Sequence, residues 1–234
     1  DMTRLSMSRR QLLAGISSGG AASVAGLAFA TNRSRAFTET TRLQTGEIDG
    51  LVLDWRETYN GATLTETATG TATVSPSGPA ISLGNVLPGD SGSLSVRLRL
   101  DAEDGRDLSV EPELTVSLAG DRGSPGLEEF LKAAVWYDTG LFGVGAFGAE
   151  NTDRDPGERL VHPEATGTLA DVGAVLGDGI TLDSSPTTPG NSCLGAGGAI
   201  AVTFGWSFPH DQENINAAQG DAVGFDIHFG ATQC

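Results

Sequence analysis

Four short stretches hold residue types that could do chemistry. Gly89-Asp90-Ser91-Gly92-Ser93 imitates the nucleophile segment of serine proteases. That mechanism needs a histidine base and a buried aspartate. The base precedes the serine in proteases with this segment, and no histidine precedes His162 here. Pro88, Gly89 and Asp90 instead read as a turn entering a strand, with Asp90 bonding local backbone. The histidines are His162, His210 and His228. None has the one-turn spacing of a zinc-protease helix, and all three read as surface residues. Gly143 to Gly148 match the glycine pattern of a dinucleotide site. Such a site needs a helix opening at those glycines, and a loop-like "AENTDRDPGER" follows. The fourth stretch is "ENTDRDPGE". Glu150, Asp153, Asp155 and Glu158 place four carboxylates within nine residues. Oxygen-rich loops hold Ca²⁺, which takes six to eight oxygens, so these four are the candidate Ca²⁺ ligands. The full calcium-loop pattern is absent, and the rival reading is an acidic surface loop.

Elements must position such residues, and alternation supplies them. Leu51, Leu53 and Trp55 share one face of "GLVLDW". Leu94, Val96, Leu98 and Leu100 point inward, with Arg97 and Arg99 outward. Leu108, Val110, Leu114, Val116 and Leu118 form a third stripe. Ile200, Val202, Phe204, Trp206 and Phe208 form a fourth, and Val223, Phe225, Ile227 and Phe229 a fifth. Period-two patterning with one wet face per strand predicts antiparallel sheets. Helical patches are few. "SPGLEEFLKAA" predicts a helix with Ser124 as N-cap and Pro125 at its first position. "TLADVGAVLGDG" predicts a turn or two ending at Gly177 or Gly179. The expected fold is all-β: an antiparallel β-sandwich of jelly-roll type with one or two short helices in loops.

The first 36 residues read as a cleaved export signal. Arg9-Arg10 precede a weakly apolar run from Leu12 to Ala30, in the manner of a twin-arginine leader. A cut after Ala36 frees Phe37, and a cut after Ala30 is the alternative. The leader carries one acid and five arginines, so residues 37–234 keep 29 acids against 9 bases. Such charge suits high salt and is typical of halophilic archaea. It excludes nucleic acid as a partner, since phosphate binding needs basic patches. No later segment is apolar enough to span a membrane, so membrane contact is expected only through the leader. Cys193 and Cys234 are expected to pair in an exported chain, closing a loop of about 42 residues worth about 4 kcal/mol. Two free thiols are the alternative.

Several segments in order resemble the TasA/camelysin family of secreted proteins, in a haloarchaeal form. They are "AFTETT" at Ala36 to Thr41, "LGNVLPGDSGSLSVRLRL" at Leu83 to Leu100, "WYD" at Trp136 to Asp138, and the stretch from Trp206 to Cys234. Glu39 stands where the family has aspartate, and the region after Asp138 is unusually glycine-rich. The resemblance implies a secreted jelly-roll subunit of an extracellular filament or biofilm matrix; the residues supply no recognisable catalytic set, so no enzyme is expected. It also carries the camelysin metalloprotease label, so a secreted metalloprotease is the alternative. A monomeric surface or Ca²⁺-binding module is the third.

The domain reading is a signal at 1–36, a candidate donor strand at 37–47 and the sandwich at 48–234. Threonines favour an extended backbone in the donor segment. Phe37 and Leu43 would enter a groove of a neighbouring subunit, with Glu39 and Thr41 between them. The expected partners are copies of the same chain, joined head to tail.

Overall fold

The computed structural model describes residues 39–45, 48–64, 73–75, 78–84, 86–101, 108–119, 125–140, 150–185, 190, 193–218 and 221–234. For 39–50, 73–80, 82 and 119, only the backbone is described. The leader, the cut sites at Ala36 and Phe37, and the glycine-rich stretch 143–148 lie outside these residues.

The described residues form an antiparallel β-sandwich. Sheet A contains β1 (Glu39–Thr45), β2 (Ile48–Tyr59), β6 (Ser91–Leu100), β12 (Ala199–Ser207), β8 (Lys132–Tyr137) and β9 (Thr166–Thr168), in that order. The two-residue β3 (Ala62–Thr63) also pairs with β2. Sheet B runs β10 (Ile180–Thr181), β7 (Ser109–Ala119), β13 (Ala222–Gln233), β5 (Gly78–Gly84), β4 (Thr73–Ser75), with β11 (Leu194–Gly195) beside β10 on β7. The chain changes sheet from β3 to β4, β5 to β6, β6 to β7, β7 to β8, β9 to β10, β11 to β12 and β12 to β13.

The five predicted stripes all face the core. Leu51, Leu53, Leu94, Leu98, Val110, Val202, Phe225 and Ile227 are almost wholly buried. The two sheets meet at Phe204 and Phe225, whose ring centroids lie 4.3 Å apart. Pro112 fits inside β7 because β10 and β11 pair on either side of it. It therefore leaves no ladder bond unmade on that edge.

The helix expected from Ser124 shrinks to one turn, α1 (Leu127–Phe130), with Gly126 as N-cap. From Lys132 the chain enters β8, whose ladder with β12 outweighs local helix preference. The second helix is present as α2 (Leu169–Leu176). Thr168 and Asp171 cap each other's backbone N–H, and Gly177 is the C-cap. Cys193 and Cys234 are bonded, with Cα atoms 6.2 Å apart.

One expectation is corrected. The segment read as a strand donated to a neighbour pairs within its own chain. Glu39 opposes Trp55, Thr41 opposes Leu53 and Leu43 opposes Leu51. Only Gly46 and Glu47 separate β1 from β2. So short a connection makes the antiparallel hairpin the local solution for both strands.

Candidate functional site

The outer face of sheet A carries rows of polar side chains. Its register sets out cross-strand rows over β2, β6, β12 and β8. One row is Arg56, Ser95, Thr203 and Trp136. The next toward the chain-reversal end is Thr58, Ser93, Gly205 and Ala134. The last is Ser91, Ser207 and Lys132. The expectation of one wet face per strand fails over the first row. Arg56, Ser95 and Thr203 are fully buried.

Residues 150–158 cover that row. Asp138, at the end of β8, is 2 % exposed and holds the cover down. It accepts hydrogen bonds from the Thr203 hydroxyl at 2.9 Å, the Thr152 N–H at 3.2 Å and the Glu150 N–H. Thr203 in turn bonds Ser95 at 2.6 Å. Glu150 and Thr152 have φ of 58° and 75°. A β-branched residue there is strained, and such strain persists only where surroundings over-determine it. The Asp138 carboxylate does so by gathering both N–H groups. Arg97 forms an ion pair with the Glu150 carboxylate, and Arg56 donates to the Glu150 carbonyl.

Glu158 anchors the far end of the same segment. Its carboxylate accepts the Gly140 N–H at 2.7 Å and the Asp155 N–H at 2.8 Å. Burial pushes the Asp138 carboxyl above its ordinary value, against the pull of Thr203 and the N–H groups of Thr152, Glu150 and Asn151. Burial likewise raises Glu158, opposed by the Asp155 and Gly140 N–H groups and reinforced by Asp138.

The four candidate Ca²⁺ ligands are therefore not brought together. Glu150 faces Arg97, Glu158 faces backbone N–H groups, and Asp155 accepts from Asn151 at 2.8 Å. Asp153 is exposed. Among the described residues no group of three or more His, Cys, Asp or Glu side chains is placed to hold a metal ion. The physical reason is competition: an arginine and backbone donors already occupy the oxygens that an ion would need.

The Gly89–Ser93 segment is a turn entering β6, as read. Gly89 takes φ 98°, which a Cβ would strain. Asp90 accepts from the Leu87 N–H at 2.7 Å, from Asn60 at 2.9 Å and from the Tyr59 hydroxyl. His210 is exposed beside this turn, but no hydrogen bond joins it to Ser91. With Asp90 committed to the turn, no catalytic triad forms there. His162 and His228 are both partly exposed.

Beyond the cover, the outer face of sheet A is open. A cleft of about 660 Å³ crosses the ends of β2, β6, β12, β8 and β9. Its floor is Ser91, Ser93, Gly205, Ser207 and Ala134, and Thr152 to Arg154 form one wall. Gly205 is required here: a Cβ would stand 2.6 Å from the Trp136 ring.

The third feature is the edge of sheet A. β1 is its outermost strand, and among the described residues no strand pairs with its outer side. The other sheet margins carry β3, β9, β10, β11 and β4, of two or three residues each. β1 has seven.

The sequence pointed to the turn, the disulfide and the extended threonine-rich segment. It missed Asp138 as an anchor and Arg56, Ser95 and Thr203 as its buried partners. No family model matches the chain, and none of the curated proteins matches it.

Proposed function

We propose that the chain is a non-catalytic, exported sandwich subunit that assembles with copies of itself into an extracellular filament, through the open edge of β1. The observation that carries this reading is that edge. A seven-residue strand whose outer side pairs with no described strand presents N–H and C=O groups as a template for another strand. Short strands blunt the remaining margins. The Cys193–Cys234 bridge is compatible with an oxidising compartment. No helix among the described residues is long and apolar enough to cross a membrane. The resemblance to the TasA/camelysin family points the same way. Association by edge addition replaces the donation expected from the sequence, since β1 already has a partner in its own chain.

Successive N–H groups of a strand point to opposite sides. Of Thr40 and Thr41, one therefore faces β2 and the other faces outward. Proline at the outward position removes a donor from the assembly edge only. Proline at the other breaks the β1–β2 ladder. Electron microscopy of the secreted protein at high salt should show filaments. One of Thr40→Pro and Thr41→Pro should abolish them while keeping the wild-type melting temperature. A wild type that stays monomeric, or filaments from both variants, contradicts the reading. Chelator-sensitive casein hydrolysis by the purified protein would favour the metalloprotease alternative.

A further inference from the structure

We propose that the open cleft on the outer face of sheet A binds an extended neutral glycan. The site is independent of the β1 edge. The cleft's volume, about 660 Å³, falls in the range of about 300–1,000 Å³ typical of small-molecule sites. It runs across the strands. Crossing from β2 to β9 spans four interstrand spacings, about 19 Å at about 4.8 Å each. That length suits several linked sugar rings lying side by side.

The chemistry of the lining selects the class. The central strands β6, β12 and β8 already pair on both sides through their backbones. A peptide laid over them finds no open ladder, so strand addition is unavailable to it. Recognition has to come from side chains. Ser91, Ser207 and Thr166 line the cleft, and their hydroxyls bond to no described side chain or backbone group. Each offers one donor and two acceptor sites, matching the hydroxyls and ring oxygens of a sugar. Ala134 keeps one part of the floor low, while the Trp136 ring already lies over Gly205. Trp136 packs over Gly205 at the inner side of the cleft and is itself 5 % exposed, so the ligand is held by the hydroxyls. The indole N–H is buried and has no hydrogen-bond partner among the described residues.

Charge argues for a neutral ligand. Lys132, Arg154 and Asp153 are the charged residues of the lining. They leave it nearly balanced, whereas the whole chain carries a net charge of −16. A polyanion would be repelled by that field, and the two exposed cations are too few to overcome it.

Calorimetric titration of the full secreted protein with cellotetraose, maltotetraose and mannotetraose tests the proposal, with tetragalacturonate as the acidic arm. At least one neutral tetrasaccharide should bind with Kd below about 1 mM. Ser207→Gln and Thr166→Gln place bulk in the floor and at the β9 end. Each should weaken binding at least tenfold with an unchanged melting temperature. The same variants should still form filaments, which separates failure here from failure of the assembly reading. Absence of binding by every neutral tetrasaccharide overturns the proposal. So does binding of tetragalacturonate alone, or binding that neither variant weakens.

Discussion

One sheet face carries two different surfaces. Near Asp138 the outer side of sheet A bears charged and hydroxyl side chains, and residues 150–158 bury them. Two strand positions further along, Thr58 and Ser93 are still buried, and four positions along, at Ser91, Ser207 and Lys132, the face is open. The covered half has partners for its ions: Arg97 with Glu150, and Asp138 with Thr203 and two N–H groups. The open half has small residues and few charges. Buried charges need pairing and hydrogen bonding, so the covered half is fixed by its own chemistry. Small hydroxyls can be left to solvent at little cost, so the open half is free to receive a ligand.

The largest expected effect is at the anchor of the cover. Asp138→Ala leaves the N–H groups of Glu150 and Thr152 and the Thr203 hydroxyl without an acceptor, next to a strained backbone. It should cost about 2–4 kcal/mol, and the Glu150 and Thr152 amides should lose protection from hydrogen exchange. Unchanged protection would mean that Asp138 does not hold the cover. Next comes Arg97→Met. The Arg97 and Glu150 side chains are 30 % and 21 % exposed, so solvent screens the pair, and the loss should be about 1 kcal/mol in urea unfolding.

The third effect is a pH dependence. Asp138 is raised by burial, so its contribution is fully present below the unfolded value, about 3.9. It is lost as pH rises through the higher folded value. Asparagine does not titrate. The melting temperature of Asp138→Asn, relative to wild type, should therefore rise between about pH 3 and pH 7. A constant difference, or the opposite trend, would show that the carboxyl is not perturbed as described. The smallest effect is at the open half. Ser207→Gln should change stability by less than about 0.5 kcal/mol, because the Ser207 side chain bonds to no described residue. A larger loss would erase the contrast between the two halves.

The strands were legible because alternation is local. Leu94, Val96, Leu98 and Leu100 announce their face within seven residues, and a buried face needs nothing else from the chain. The cover was not legible. Arg56, Ser95 and Thr203 look like solvent-facing strand positions, and what buries them comes from 53 to 94 residues away in sequence for Arg97–Glu150 and Arg56–Glu150. The acidic loop misled for the same reason: its oxygens are claimed by Arg97, Gly140 and other groups that spacing within the loop cannot reveal. Phe37 to Leu43 was read correctly as extended from Glu39 onward, but its partner was wrong. Threonine content reports backbone preference, not which strand supplies the hydrogen bonds.

The most direct test of the account is residue-resolved hydrogen exchange at β1, Glu39 to Thr45, in dispersed and assembled protein. In dispersed protein the amides facing β2 should be protected and those alternating with them should exchange freely. In filaments the outward set should become protected as well, with the inward set unchanged. Outward β1 amides that exchange equally fast in both states would contradict assembly through this edge.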